Sequence, residues 1–207
     1  MHNVQLIDHP LAKHSLSILR DKNTDTETFR RHTAIVSQII IMEAGRNFKI
    51  KKREIETPVA AAQGYEIYRS MMFVPVLRAG ISMLVPARDF LPWTPVGFIG
   101  LERDEETAIA HEYYKKFPKH IERKMVLVLD PMLATGGSVS DTIFRLKEKG
   151  AKRIYIACIV CAPEGIKRIN REHPDVKIYT TAIDDHLNEK KYIVPGLGDF
   201  GDRYFGT

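Results

Sequence analysis

Val126-Leu127-Val128-Leu129-Asp130-Pro131-Met132-Leu133-Ala134-Thr135-Gly136-Gly137-Ser138 is the stretch whose reading decides the fold of this chain. An unbroken aliphatic run of this length, with no polar alternation, predicts a strand buried on both faces. It ends in a carboxylate, Asp130, and continues through a loop of small residues into a helix expected to begin at Ser138. A phosphate needs several convergent N–H donors and room for its oxygens. Thr135, Gly136, Gly137 and Ser138 offer amides, two hydroxyls and little bulk at the positive end of a helix. Asp130 is then placed to accept hydrogen bonds from sugar hydroxyls. No lysine follows the glycines, so the string is not a Walker A loop. The competing reading is a tight strand-to-helix turn without a ligand. A lone Gly-Gly would favour that reading, and the whole string does not.

Working outward, further apolar runs occupy Met72 to Leu77, Val96 to Gly100, Ile154 to Val160 and Val176 to Ala182. Helix-like segments separate most of them: Ile81 to Phe90, Ser138 to Lys149 and Pro163 to His173. Buried strands alternating with helices predict an α/β fold, a mostly parallel sheet flanked by helices. Ligands bind such sheets beyond the carboxyl ends of the strands. Arg78 and Gly80 follow one such run, and Arg103 follows another. An arginine there can grip a diphosphate through charge-assisted hydrogen bonds, and Gly80 is expected to adopt backbone angles that turn the loop amides inward.

The N-terminal part reads as helical. Thr24-Asp25-Thr26-Glu27 has the form of a capping box. Behind it Phe29, Thr33, Val36, Ile40 and Ala44 recur at helical spacing, and Gly45 is a plausible stop. Phe48-Lys49-Ile50-Lys51 alternates like a half-exposed strand. The organisation expected is one domain over 1–207: an N-terminal helical and strand arm (1–70), an α/β core (71–191) and a C-terminal tail (192–207).

At 207 residues with 44% hydrophobic and 28% charged side chains, the composition is that of a globular domain. No apolar run approaches the roughly 20 residues a bilayer requires. Met1-His2-Asn3-Val4-Gln5 lacks the basic start of a signal peptide, so a cytoplasmic location is expected, with no membrane partner. A net charge of +5 suits a polyanionic substrate and also nucleic acid, and decides neither. Cys158 and Cys161 form a C-x-x-C inside an apolar run. On a regular strand, residues three apart face opposite sides roughly 10 Å apart, so buried thiols are expected, not a disulfide or metal site.

The string from Asp130 to Ser138 resembles the phosphoribosyl pyrophosphate (PRPP) loop of the type I phosphoribosyltransferases. Many relatives carry two consecutive acids before the loop; here the second position is Pro131, as in the uracil phosphoribosyltransferases. The resemblance extends from His9-Pro10-Leu11 through Val74-Pro75-Val76-Leu77-Arg78-Ala79-Gly80 and Arg103-Asp104-Glu105-Glu106-Thr107. It ends with Tyr192-Ile193-Val194-Pro195-Gly196-Leu197-Gly198-Asp199-Phe200-Gly201-Asp202-Arg203-Tyr204-Phe205-Gly206-Thr207.

The resemblance implies that uracil and PRPP are converted to UMP and pyrophosphate. It assigns PRPP to Arg78, Arg103, Asp130, Pro131, Met132, Leu133, Ala134, Thr135, Gly136, Gly137, Ser138 and Asp199. It assigns uracil to Ile193, Gly198, Asp199 and Phe200, and gives Asp199 the catalytic place, holding a sugar hydroxyl or reaching Mg²⁺ through water. Uracil's two carbonyls and one N–H suit backbone groups, which glycine lets approach closely. Mg²⁺ is expected to ride on substrate phosphates with few or no direct protein ligands. The stretch after Thr107, with His111, Tyr113 and Tyr114, is expected to form a flexible flap. A homodimer or homotetramer is implied. Some relatives are activated by GTP, and no residue pattern in this chain marks a site for it. The rival from another class is an RNA-binding regulator on the same fold. The scattered basic residues and the intact tail speak against nucleic acid.

Overall fold

Met125 to Leu129 forms a strand in which every residue is buried, and alternate side chains serve two separate cores. That division organises the molecule. The computed structural model describes residues 3–68, 70–103 and 110–207. Along the chain the elements are β1 (Val4–Leu6), α1 (Pro10–Arg20), α2 (Thr26–Gly45), β2 (Ile50–Glu56), β3 (Ala61–Ile67), β4 (Met71–Pro75), α3 (Ile81–Phe90), β5 (Phe98–Arg103) and β6 (Ala110–Lys116). Then come β7 (Met125–Leu129), β8 (Met132–Leu133), α4 (Gly137–Glu148), β9 (Arg153–Cys161), α5 (Pro163–Glu172), β10 (Lys177–Ile183), β11 (His186–Leu187), β12 (Ile193–Val194) and α6 (Phe200–Phe205).

The central sheet runs β1-β10-β9-β7-β4, with β8 continuing beside β9, and every pairing in it is parallel. Met125, Leu127 and Leu129 point into the core shared with α1, α2 and α3, while Val126 and Val128 meet Val139, Ile143, Leu146, Ile166 and Ile169 of α4 and α5. The sheet is therefore covered on both faces, which is why its strands read as unbroken apolar runs. The helical spacing in α2 is realised: Phe29, Thr33, Val36, Ile40 and Ala44 are all fully buried.

Several expectations need correction. The Val96 to Gly100 run is not a strand of the central sheet. It touches β4 and the residue just after it through isolated parallel bridges at Phe73–Val96 and Val76–Ile99, then pairs antiparallel with β6 as β5. Conversely, β1 joins the sheet edge although its three residues carry no apolar run. The α2 cap is Asp25, whose side chain accepts from Thr28 N at 2.9 Å, while the Thr24 hydroxyl donates to Ile18 O. The strand expected from Phe48 begins at Ile50 and is exposed on both faces. The flap expected after Thr107 falls on residues 108 and 109, outside the described residues, and on β6.

Cys158 and Cys161 are buried free thiols, yet both belong to the same core. Alternation slips between them because Ile159 and Val160 both turn to the other core. Their two amides donate to a single carbonyl, Pro131 O, at 3.0 and 3.1 Å, a bulge-like kink. Burial, with the neighbouring Cys161 thiol and the Asp130 charge, pushes the Cys158 thiol pKa well up.

Beyond β10 the tail folds back over α1 and α2. Asp184 is buried and accepts from Arg20 Nη2 at 2.6 Å, from Arg20 Nη1 at 2.8 Å and from Gly196 N at 2.9 Å. Replacing Asp184 by Asn removes the charge and leaves the Arg20 guanidinium half-answered in a largely desolvated place. The expected loss is about 3 kcal/mol in urea unfolding, the lower end for a broken buried pair, with faster proteolysis of the tail. An unchanged unfolding midpoint would show the triad to be dispensable.

Candidate active site

The site forms where the carboxyl ends of the adjacent strands β4 and β7 meet the tail. Val76 N donates to Leu129 O at 2.9 Å, which ties the loop after β4 to the end of β7. Gly80 sits in the tightest part of this joint. Its angles, φ −60° and ψ −19°, are ordinary helical ones, contrary to the unusual geometry expected. Glycine is required for another reason: a Cβ there would lie 2.3 Å from Leu129 O and 2.6 Å from Val76 O. The Leu77–Arg78 peptide bond is cis.

After β7 the chain leaves the sheet at Asp130, returns briefly as β8 and then starts α4 at Gly137, one residue earlier than expected. Gly136 precedes the helix with φ +74°, a left-handed conformation suited to glycine. The Thr135 hydroxyl accepts from Gly137 N at 3.4 Å. Helix α5 supports the loop from behind: a Cβ on Gly165 would come within 2.5 Å of Ala134 O, so only glycine lets the two backbones touch. Pro131 and Leu133 face inward and anchor the loop to β9. Asp130, Met132 and the stretch from Ala134 to Val139 enclose a cavity of about 130 Å³ at the helix N-terminus.

A larger cavity of about 310 Å³ shares Asp130, Met132, Ala134 and Ser138 with it, and adds the loop from Val76 to Ala79 and the tail. Asp130 has no cationic partner among the described residues. Burial raises its carboxyl pKa to about 7, an effect only partly offset by the Met132 amide at 3.4 Å. Arg78 extends along the cavity toward the tail, with Nη2 3.5 Å from Asp202 and its guanidinium 5.9 Å from the Phe205 ring centre.

The tail contributes Ile193, Gly198, Asp199 and Phe200 to the same cavity. Ile193 is held by pairing of β12 with β11, and Gly198 has φ +80°. Asp199 caps α6, its Oδ1 accepting from Asp202 N at 2.9 Å. Phe200 packs edge-on against Phe29 with ring centres 5.0 Å apart. Arg203 donates to Leu197 O at 2.8 Å and Asp21 O at 2.6 Å, and lies 4.5 Å over the Phe29 ring. Arg30 reaches Tyr204 O at 2.8 Å and so answers the end of α6. These contacts explain how a glycine-rich terminus holds one shape.

Of the residues singled out from the sequence, Arg78, Asp130, Met132, Ala134, Ser138, Ile193, Gly198, Asp199 and Phe200 line one cavity. Thr135, Gly136 and Gly137 line its smaller neighbour. Arg103 closes β5, and its side chain lies outside the described residues. Leu77, Ala79, Lys191, Tyr192 and Gly201 also line the larger cavity. Lys191 gave no signal in the sequence, since a lysine in a polar loop reads as solvated surface.

A family model described as uracil phosphoribosyltransferase matches residues 6–207. The chain is similar to the uracil phosphoribosyltransferase of Campylobacter concisus, 48% identical over 207 residues and covering all of both chains. It is also similar to that of Shouchella clausii, 49% identical over 208 residues with the same coverage. Among solved structures, the AQ2163 protein of Aquifex aeolicus is 34% identical, with a TM-score of 0.90 over 99% of this chain and 98% of that one. Adenine phosphoribosyl transferase from Trypanosoma brucei, 13% identical with a TM-score of 0.61 over 96% of this chain and 89% of that one, shares the fold. With its matched sequence spanning every element of the site, the chain belongs to the uracil phosphoribosyltransferase family.

Proposed function

We propose that this chain transfers the phosphoribosyl group of PRPP to uracil, giving UMP and pyrophosphate in pyrimidine salvage. The observation that carries this reading is the continuity of the two cavities. The N-terminus of α4, with its small residues, and the glycine-rich tail meet across Asp130.

In this reading the amides of Thr135 to Ser138 hold the 5′-phosphate at the positive end of α4. Asp130 accepts from the ribose hydroxyls, and its ionised form favours the positive charge that builds on the sugar. Arg78 and Arg103 hold the diphosphate. The C1–O bond breaks with its electron pair leaving on diphosphate. The base nitrogen bonds to C1 and releases its proton to solvent. Backbone groups near Ile193 and Gly198 to Phe200 fix the base, so positioning and electrostatics supply most of the rate. A turnover assay with PRPP, Mg²⁺ and a panel of pyrimidine and purine bases tests the assignment, and failure with uracil would overturn it.

Asp130 and Asp199 wall one cavity, while no cluster of three His, Cys, Asp or Glu among the described residues is arranged for a metal. This donor set fits Mg²⁺ brought in on the diphosphate and met through water. When bound it neutralises charge on the leaving group. No helix among the described residues is long and apolar enough to cross a membrane, and we place the activity in the cytoplasm. A homodimer or homotetramer belongs to the same reading. It is supported by the apolar side chains of Val85, Phe90 and Trp93 left exposed on and after α3. A role for GTP as effector rests on the family resemblance alone.

Arg78→Ala is expected to lower kcat/KM for PRPP by one to two decades, the equivalent of roughly 1.5–3 kcal/mol for a lost charge-assisted contact. An unchanged value would remove Arg78 from the site.

Asp130→Asn is expected to stabilise the free protein in a pH-dependent way. Because folding raises the carboxyl pKa from 3.8 to about 7, the folded protein holds an extra proton between those values. Stability present below pH 3.8 is therefore lost as pH rises through 7. Asparagine cannot ionise, so its gain grows over that window to at most about 4 kcal/mol and then levels off. Equal stability of the two proteins at pH 8 would contradict the raised pKa.

Cytosine is expected to be a poor substrate. It presents an amine where uracil has a carbonyl, and its ring nitrogen accepts where uracil donates. A site built for hydrogen bonding rejects such an analogue by roughly 10⁴–10⁵, whereas 5-fluorouracil keeps the whole edge and turns over. Cytosine turnover within about tenfold of uracil, far short of that discrimination, would mean that the tail does not read the base.

A further inference from the structure

Lys191 stands in the left-handed region with φ +65°, where a side chain is disfavoured and glycine is at ease. The only other described non-glycine residue in that region is His120, which lies away from the cavity. A closed turn holds Lys191 there: its amide donates to Asn188 O, Asn188 N donates to Tyr192 O, and Tyr192 N donates to Asn188 Oδ1, all at 2.9 Å. The turn joins β11 to β12 and sets Lys191 in the wall of the larger cavity, two residues before Ile193.

Among the described lining residues, Arg78 and Lys191 are the cations, and Asp130 and Asp199 the anions. Arg78 is partly answered by Asp202 at 3.5 Å. Lys191 makes no ion pair among the described residues. Lys191, an exposed lysine, therefore brings a cation without an ion pair to the tail side of the cavity lining, while the anion site lies at α4. On the reading above, the tail side receives the base. As the pyrimidine nitrogen bonds to C1 and its proton leaves, negative charge spreads to the carbonyl oxygens before it is neutralised by the bond to the sugar.

We propose that Lys191 is a base-binding residue whose ammonium donates to a carbonyl of the bound pyrimidine and favours its anionic character. It neither gives nor takes a proton. The inference rests on the phosphoribosyl-transfer reading, and its test separates the two. Lys191→Gly and Lys191→Met should each raise KM for uracil about tenfold, the scale of one partly solvated charge-assisted contact. KM for PRPP should stay within about twofold, because its anionic groups are held elsewhere. Lys191→Arg, which keeps the cation, should retain most of the uracil affinity.

Lys191→Gly should also raise Tm by about 2–4 °C by relieving the backbone, so that stability and uracil affinity move in opposite directions. A merely structural lysine would not give that divergence. Unchanged uracil kinetics in the Gly and Met variants of an enzyme that turns over uracil would overturn the role of Lys191 alone. So would equal losses for uracil and PRPP. A wild-type protein that does not use uracil would overturn both readings.

Discussion

Asp184 carries the constraint on which the site depends. It follows the last strand of the central sheet and gathers an arginine from α1 and a backbone amide from the tail onto one buried carboxylate. Each partner alone would leave the charge under-solvated, and a buried charge is tolerated only when paired and fully hydrogen-bonded. The same Arg20 also donates to Gly196 O at 2.8 Å, so the tail is held by both its donor and its acceptor. Gly196 is compelled at this point, because a Cβ there would lie 2.1 Å from Ile193 O. The chain therefore reverses between the two groups of tail residues that line the cavity, and Gly198 to Gly201 arrive beside Arg78 with no strand to guide them.

A second constraint works from below. Parallel strands deliver loops to one end of the sheet, and the loop after β7 must be tied back to β9 to keep its shape. The kink at Ile159 and Val160 does this by spending two amides on Pro131 O. It holds the Asp130 loop against β9 while turning Cys161 back into the core beneath. Gly165 and Gly80 then permit backbone-to-backbone contact on either side of the loop. The phosphate-loop geometry is in this sense made by its neighbours, not by its own hydrogen bonds, of which Thr135 to Gly137 supplies a long one at 3.4 Å.

This division explains what was legible in the sequence. The central strands and helices were readable because burial on both faces writes an uninterrupted apolar run, and because α2 repeats Phe29, Thr33, Val36, Ile40 and Ala44 at the period of a helix. The β5 run misled because an apolar stretch reports burial, not which sheet it joins; it borders β4 and the residue just after it by two bridges and then leaves. β1 escaped notice because an edge strand of three residues needs no apolar pattern. The two cysteines are buried free thiols as expected, but their facing was misread because period-two reasoning assumes a regular strand, and a kink is set by partners distant in sequence. The tail was recognisable as a motif, yet its short helix and the arginines that pin it, Arg20, Arg30 and Arg203, come from tertiary contacts no local pattern announces.

Asp130 and Asp199 line one cavity but are prepared differently. Asp199 is tied into the cap of α6, so its position is fixed by the tail and its charge is partly met by a backbone amide. Among the described residues Asp130 is left without a cation, and burial makes its ionised form costly in the free protein. A carboxylate in that state gains most from a ligand that brings hydroxyl donors and nearby positive charge. On the proposed reading, part of the binding energy of a sugar with a cationic transition state is thereby realised only as charge develops, which is where a catalyst gains rate instead of mere affinity. The costly charge at Asp130 and the stability of the Asp184 triad are complementary. The second holds the tail wall of the cavity in place, and the first lines the same cavity with no cation beside it among the described residues.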